Sequence, residues 1–112
     1  MPKRRAFLFL SVGTIVLAGI PVSLKFLRDG SGALDSQEKN LFALIAADYF
    51  KLVPEEKNPE TLKKFIPHEA ELSELISAEF RRGEFVTLSG WNLSKTEARL
   101  ISYLALRERL FE

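Results

Sequence analysis

The residues that could do chemistry in this chain are few. His68 is its single histidine, beside Glu69 and Glu71, and there is no cysteine. A metal site needs three or more converging ligands, and thiolate and imidazole here amount to one residue. Nucleophilic catalysis needs a base beside a serine or cysteine and a third group to orient it. Only His68 could be that base, and no Gly-x-Ser-x-Gly turn accompanies it. Gly30 and Gly32 lack the strand-then-helix setting of a phosphate loop. Glu55 with Glu56, and Glu71 with Glu74, read as solvated charges of a loop and a helix. The expectation is a chain that is not an enzyme by itself, with no catalytic, cofactor-binding or metal-binding residue.

The elements that would carry such groups are helices. Asp35 with Glu38 three residues on is a capping box that opens a first helix. Leu41, Phe42, Ile45, Tyr49, Leu52 and Val53 fall on one face of it, and Pro54 ends it. Asn58-Pro59 caps and opens a short second helix, closed at Pro67. A third runs from about His68 to Arg82, with Leu72, Leu75, Ile76 and Phe80 apolar and Gly83 as its C-terminal cap. Ser94 with Glu97 is a second capping box, opening a last helix whose packing face holds Leu100, Ile101, Leu104, Leu110 and Phe111. Between the last two, Phe85, Val86 and Leu88 could be extended, but one strand finds no partner in this reading. The expected fold class is all-α: a bundle of about four helices, preceded by an N-terminal apolar signal helix.

That apolar segment sets the domain plan. Residues 1–24 hold Lys3, Arg4 and Arg5, no acidic residue, and an apolar run from Ala6 to Leu24. Arg4-Arg5-Ala6-Phe7-Leu8 resembles the core of a twin-arginine export signal, so Arg4, Arg5, Phe7 and Leu8 are the expected signal residues. The run is diluted by Ser11, Gly13, Thr14 and Gly19, which suits a signal better than a strong anchor. It has no good small-x-small cleavage site, and its length just suffices to span a bilayer, so an uncleaved anchor is the competing reading. Residues 25–34 read as a linker and 35–112 as the helical domain. Beyond residue 24 the chain has 13 Lys+Arg against 15 Asp+Glu, a weakly acidic body that argues against nucleic-acid binding. A body of roughly 85–90 residues buries about 60–65% of its unfolded surface, so packing alone gives it modest stability.

The richest stretch is Trp91-Asn92-Leu93-Ser94-Lys95-Thr96-Glu97-Ala98-Arg99-Leu100. Its tryptophan, the only one in the chain, stands just before a helix cap. One reading makes Trp91 a core anchor with Arg99 on the solvent side. The other makes Trp91, Leu93 and Arg99 a partner-binding edge, since Trp and Arg are enriched at interface hot spots.

With the twin-arginine leader, Trp91-x-Leu93-Ser94-x-Thr96-Glu97-Ala98-Arg99-Leu100 resembles the small subunits of bacterial membrane-associated flavin dehydrogenases, of the sorbitol, fructose and gluconate type. Lys3 departs from the Ser or Thr that usually precedes the arginine pair. The resemblance implies an accessory subunit without cofactor, periplasmic or at the periplasmic face of the bacterial inner membrane. Its expected partners are a large FAD-binding dehydrogenase subunit, which it escorts and stabilises, a cytochrome subunit, and the twin-arginine translocase. The alternative is a free-standing, membrane-anchored envelope protein of structural or regulatory role.

Overall fold

A computed structural model describes residues 4–5, 14–23, 26, 30, 34–67 and 69–110. Helix α1 (Ser36–Leu52) starts where its capping signal places it. Asp35 accepts the Glu38 amide at 2.8 Å, and the Glu38 carboxyl accepts the Asp35 amide at 3.0 Å. These reciprocal bonds satisfy amides that every helix start leaves open. Phe42, Ile45, Ala46, Tyr49 and Phe50 are its buried stripe. Leu52, expected on that face, is 63% exposed. It is the last residue of the helix. Pro54 ends the helix and opens a 3-10 turn, Pro54–Glu56.

Helix α2 (Pro59–Lys64) is capped by Asn58, which accepts the Glu60 and Thr61 amides. Helix α3 (Glu69–Arg81) closes in a paired-bond cap. The Glu84 amide reaches the Glu79 carbonyl at 2.8 Å and the Gly83 amide the Phe80 carbonyl at 3.2 Å, with Gly83 at φ +75°. That left-handed position is one that glycine takes without penalty.

The connection that follows differs from the expected unpaired segment. Numbered along the chain after three N-terminal strands, β4 (Phe85–Leu88) pairs antiparallel with β5 (Trp91–Ser94), so that Val86 lies opposite Leu93 and Leu88 opposite Trp91. Ser89 and Gly90 make the two-residue turn, both at positive φ, as tight hairpins require. Asp48 of α1 holds the turn, accepting the Ser89 amide and hydroxyl at 2.9 Å each. The partner strand is the stretch immediately before the last helix, Trp91–Ser94. All-α is therefore corrected to mostly helical with a small sheet.

Helix α4 (Lys95–Arg107) follows β5 without a break, because Ser94 is both the last strand residue and the helix cap. Ser94 Oγ accepts the Glu97 amide at 3.0 Å and the Glu97 carboxyl accepts the Ser94 amide at 2.9 Å. Leu93 and Ala98, on either side of the cap, are both fully buried. The core centres on α4, with Leu100, Ile101, Leu104 and Ala105 set against α1, and α2 and α3 also packed on this helix. Ser94→Ala is expected to cost about 1–2 kcal/mol, because the cap is buried, and to appear as a lower urea midpoint at unchanged slope.

The N-terminal strands are β1 (Arg4–Arg5), β2 (Thr14–Leu17) and β3 (Ile20–Ser23). The backbone of β1 lies parallel to β5, with Arg4 opposite Trp91, giving a sheet ordered β1-β5-β4. Strands β2 and β3 form a separate hairpin about Ala18-Gly19. Residues 14–23 form this hairpin, and half of the segment expected as a signal helix, residues 1–3, 6–13 and 24, lies outside the described residues. Ile15, Val16, Ile20 and Val22 are β-branched, and a two-stranded hairpin tolerates Pro21. Residues 6–13 of the leader, with Phe7 and Leu8, lie outside the described residues, as do His68 and Phe111. Phe26 and Leu34, within the segment read as a linker, are buried in the core. No helix among the described residues is long and apolar enough to cross a membrane.

Candidate interaction surface around the last helix

The three residues singled out for partner binding do not share one free surface. Leu93 is fully buried opposite Val86. Trp91 is partly buried and packs against the β2–β3 turn. A Cβ added at Gly19 would stand 2.9 Å from Trp91 Cη2, so the indole occupies the space that a side chain would take.

Arg99 is the centre of a cluster that joins three elements. Tyr49 of α1 donates its hydroxyl to Glu56 Oε1 at 2.5 Å. Arg99 of α4 donates through Nε to Glu56 Oε1 at 3.2 Å and through Nη2 to Glu56 Oε2 at 3.3 Å. Its Nε also lies 3.3 Å from the Tyr49 hydroxyl. The Arg99 Cζ stacks 3.8 Å above the Phe65 ring, just past the end of α2. Burial, reinforced by the hydrogen bond to Glu56, pushes Tyr49 up to about 12. Burial disfavours the Arg99 charge, but the bonds to Glu56 and Tyr49 outweigh it and the net direction is upward. Two sequence expectations are corrected here. Arg99 is not a solvent-side charge, and Glu56 is a buried acceptor and not a solvated loop carboxylate. No local signal marks the cluster, because Arg99 stands 43 residues from Glu56 and 50 from Tyr49.

A second polar group ties α3 to the start of α4. Glu79, buried, accepts the Thr96 amide and hydroxyl at 2.8 Å each, so a side chain of α3 satisfies an open amide of α4. Glu97, also buried, has one oxygen on the Ser94 amide, and its Oε2 has no hydrogen-bond partner. Burial pushes Glu97 up to about 8; the Ser94 amide pulls the other way, and the neighbouring Glu79 charge adds to the rise. Both carboxyls act on a helix start. Among the described residues no group of three His, Cys, Asp or Glu could hold a metal ion.

Among the described residues, four large apolar side chains reach solvent alongside the charged ones. Leu44 and Leu52 on α1 are 59% and 63% exposed, and Phe65 and Phe85 are each 43% exposed. Phe85 lies 5.9 Å from the Phe80 ring, and Phe65 carries the Arg99 guanidinium. Of the expected partner residues, Arg99 is thus the one seated beside an exposed aromatic ring. Of the expected export residues, Arg4 and Arg5 are described by their backbone pairing with β5. Comparison of the chain with protein-family models, with curated proteins and with solved structures gave no match.

Proposed function

We propose that the chain is a non-catalytic accessory subunit that escorts a flavin-dependent sugar or alcohol dehydrogenase through twin-arginine export and stabilises it at the periplasmic face of the membrane. The observation that carries this reading is the Arg4-Arg5-x-Phe7-Leu8 leader in front of a small body with an Arg99–Phe65 pair at its surface. The polar groups around α4, namely Glu56, Glu79, Glu97 and Arg99, are engaged in holding elements together. An aromatic ring stacked by a guanidinium is the kind of anchor that dominates interface energetics.

The test is to produce the large flavoprotein with and without this chain and to measure its export and activity. Both should fall sharply without it, and unchanged values would overturn the proposal. Replacing Arg4 and Arg5 together by Lys should leave the flavoprotein in the cytoplasm. Undiminished membrane insertion of that variant would favour the free-standing anchored protein instead. Phe65→Ala should weaken the complex about tenfold, roughly 1.4 kcal/mol, while shifting the melting of the free chain little, because the ring is already half in water. Equal losses in binding and melting would make Phe65 a packing residue only.

A further inference from the structure

Residues 14–26 answer to two incompatible demands. In the sequence, Ala6–Leu24 is an apolar run behind three cations, long enough to enter a bilayer. In the fold, Leu17, Ala18, Ile20 and Val22 of this run and, just beyond it, Phe26 are all buried in the core. The seat is specific. Gly19, at φ +78° and without a Cβ, lets the β2–β3 turn come up against the tip of the Trp91 indole. The Phe26 amide donates to Ser23 Oγ at 2.9 Å, and its carbonyl accepts from Arg107 Nη2 at 2.8 Å. The Arg107 guanidinium lies 4.9 Å from the centre of the Phe26 ring. The same apolar side chains cannot fill the domain and be solvated by lipid at once. Either home removes them from water, so exchange between the two forfeits little hydrophobic free energy.

We infer that the β2–β3 hairpin from Leu17 to Ser23, together with Phe26, is an exchangeable strap, seated on Trp91 and Arg107 in the folded chain and withdrawn from them when the leader enters a lipid bilayer. The inference rests on the membrane-directed reading of the leader given above. Withdrawal uncovers Trp91 and the end of α4, so membrane entry and exposure of that surface are one event.

The full chain carries its own probe, since Trp91 is its only tryptophan. The chain is mixed with phosphatidylethanolamine–phosphatidylglycerol vesicles, and three quantities are followed: co-sedimentation, acrylamide quenching of Trp91, and helical circular dichroism. Quenching should rise severalfold as the chain sediments, with the helical signal retained. Gly19→Ala, whose new Cβ collides with the indole, should reach that state at lower lipid. So should Arg107→Gln, which loosens the seat without altering the leader. Sedimentation with Trp91 unchanged or more shielded would overturn the strap and leave the membrane-directed leader standing. Exposure of Trp91 only together with loss of the helical signal would also overturn it, as general unfolding. Failure to sediment would overturn the leader reading and the strap together.

Discussion

Raising the pH from about 5 to about 9 is expected to lower the stability of this domain by about 3–5 kcal/mol, and Glu97→Gln to remove most of that fall. The cause is the burial of Glu97 at the start of α4, which holds its carboxyl up to about 8 against an ordinary 4.5. Between those two values the unfolded chain has released the proton and the folded chain still holds it. The unfolded state then binds fewer protons, so stability falls with rising pH, by about 1.4 kcal/mol per pH unit. The loss is complete once the pH passes the folded value, and the curve flattens there. Glutamine accepts the Ser94 amide in the same capping position and has no proton to lose, so the variant should be the more stable protein at alkaline pH. Tyr49 does not confuse the window. Its raised value removes stability only between its ordinary 10.0 and about 12. Urea titrations across the pH series decide the matter, and a Glu97→Gln protein with the parental pH dependence would place the source elsewhere.

Arg99→Ala is the second large effect expected, at about 2–4 kcal/mol of stability. The substitution leaves the buried Glu56 carboxyl with the Tyr49 hydroxyl but without its cation, and strips that cation from Phe65. The loss sits at or below the range for a fully buried pair, because the Arg99 and Glu56 side chains keep 19% and 11% of their surface in water. Arg99→Lys should recover little, since an ammonium can neither fork to both Glu56 oxygens nor lie flat on a ring. A double-mutant cycle with Glu56→Ala should give a coupling of about 1–3 kcal/mol. Additive losses would mean that the two residues act separately.

The parts of this structure that could be read from the sequence are those set by neighbours along the chain. The boxes Asp35–Glu38 and Ser94–Glu97, the Asn58-Pro59 start and the Gly83 stop each operate within a few residues, and the structure has all four where they were expected. What was missed depends on distance. The Tyr49–Glu56–Arg99 cluster and the Glu79 grip on Thr96 join residues that no short window sees together. Strand β5 was hidden for another reason. It is four residues long and ends on a strong capping signal, so the helix start masked the alternation that pairs Leu93 with Val86. The Ser89-Gly90 dipeptide was the local clue to a tight turn. For the candidate site, Arg99 was named from its residue type alone, and its partners, 43 and 50 residues away, were not foreseeable. Leu93 belongs to the core because strand alternation, unread at that point, turns it inward.

The double duty of Ser94 gives this fold almost no slack near its centre. A residue inserted between Trp91 and Ser94 would swap the inner and outer faces of the strand remaining on one side of it. Inserted just after the cap, it would turn the rest of α4 by about 100°, carrying Ile101 and Leu104 away from α1. Elsewhere a loop can absorb such a change, but here strand and helix are geared to each other through one hydroxyl. Length variation should therefore be lethal to folding from Trp91 to Leu104.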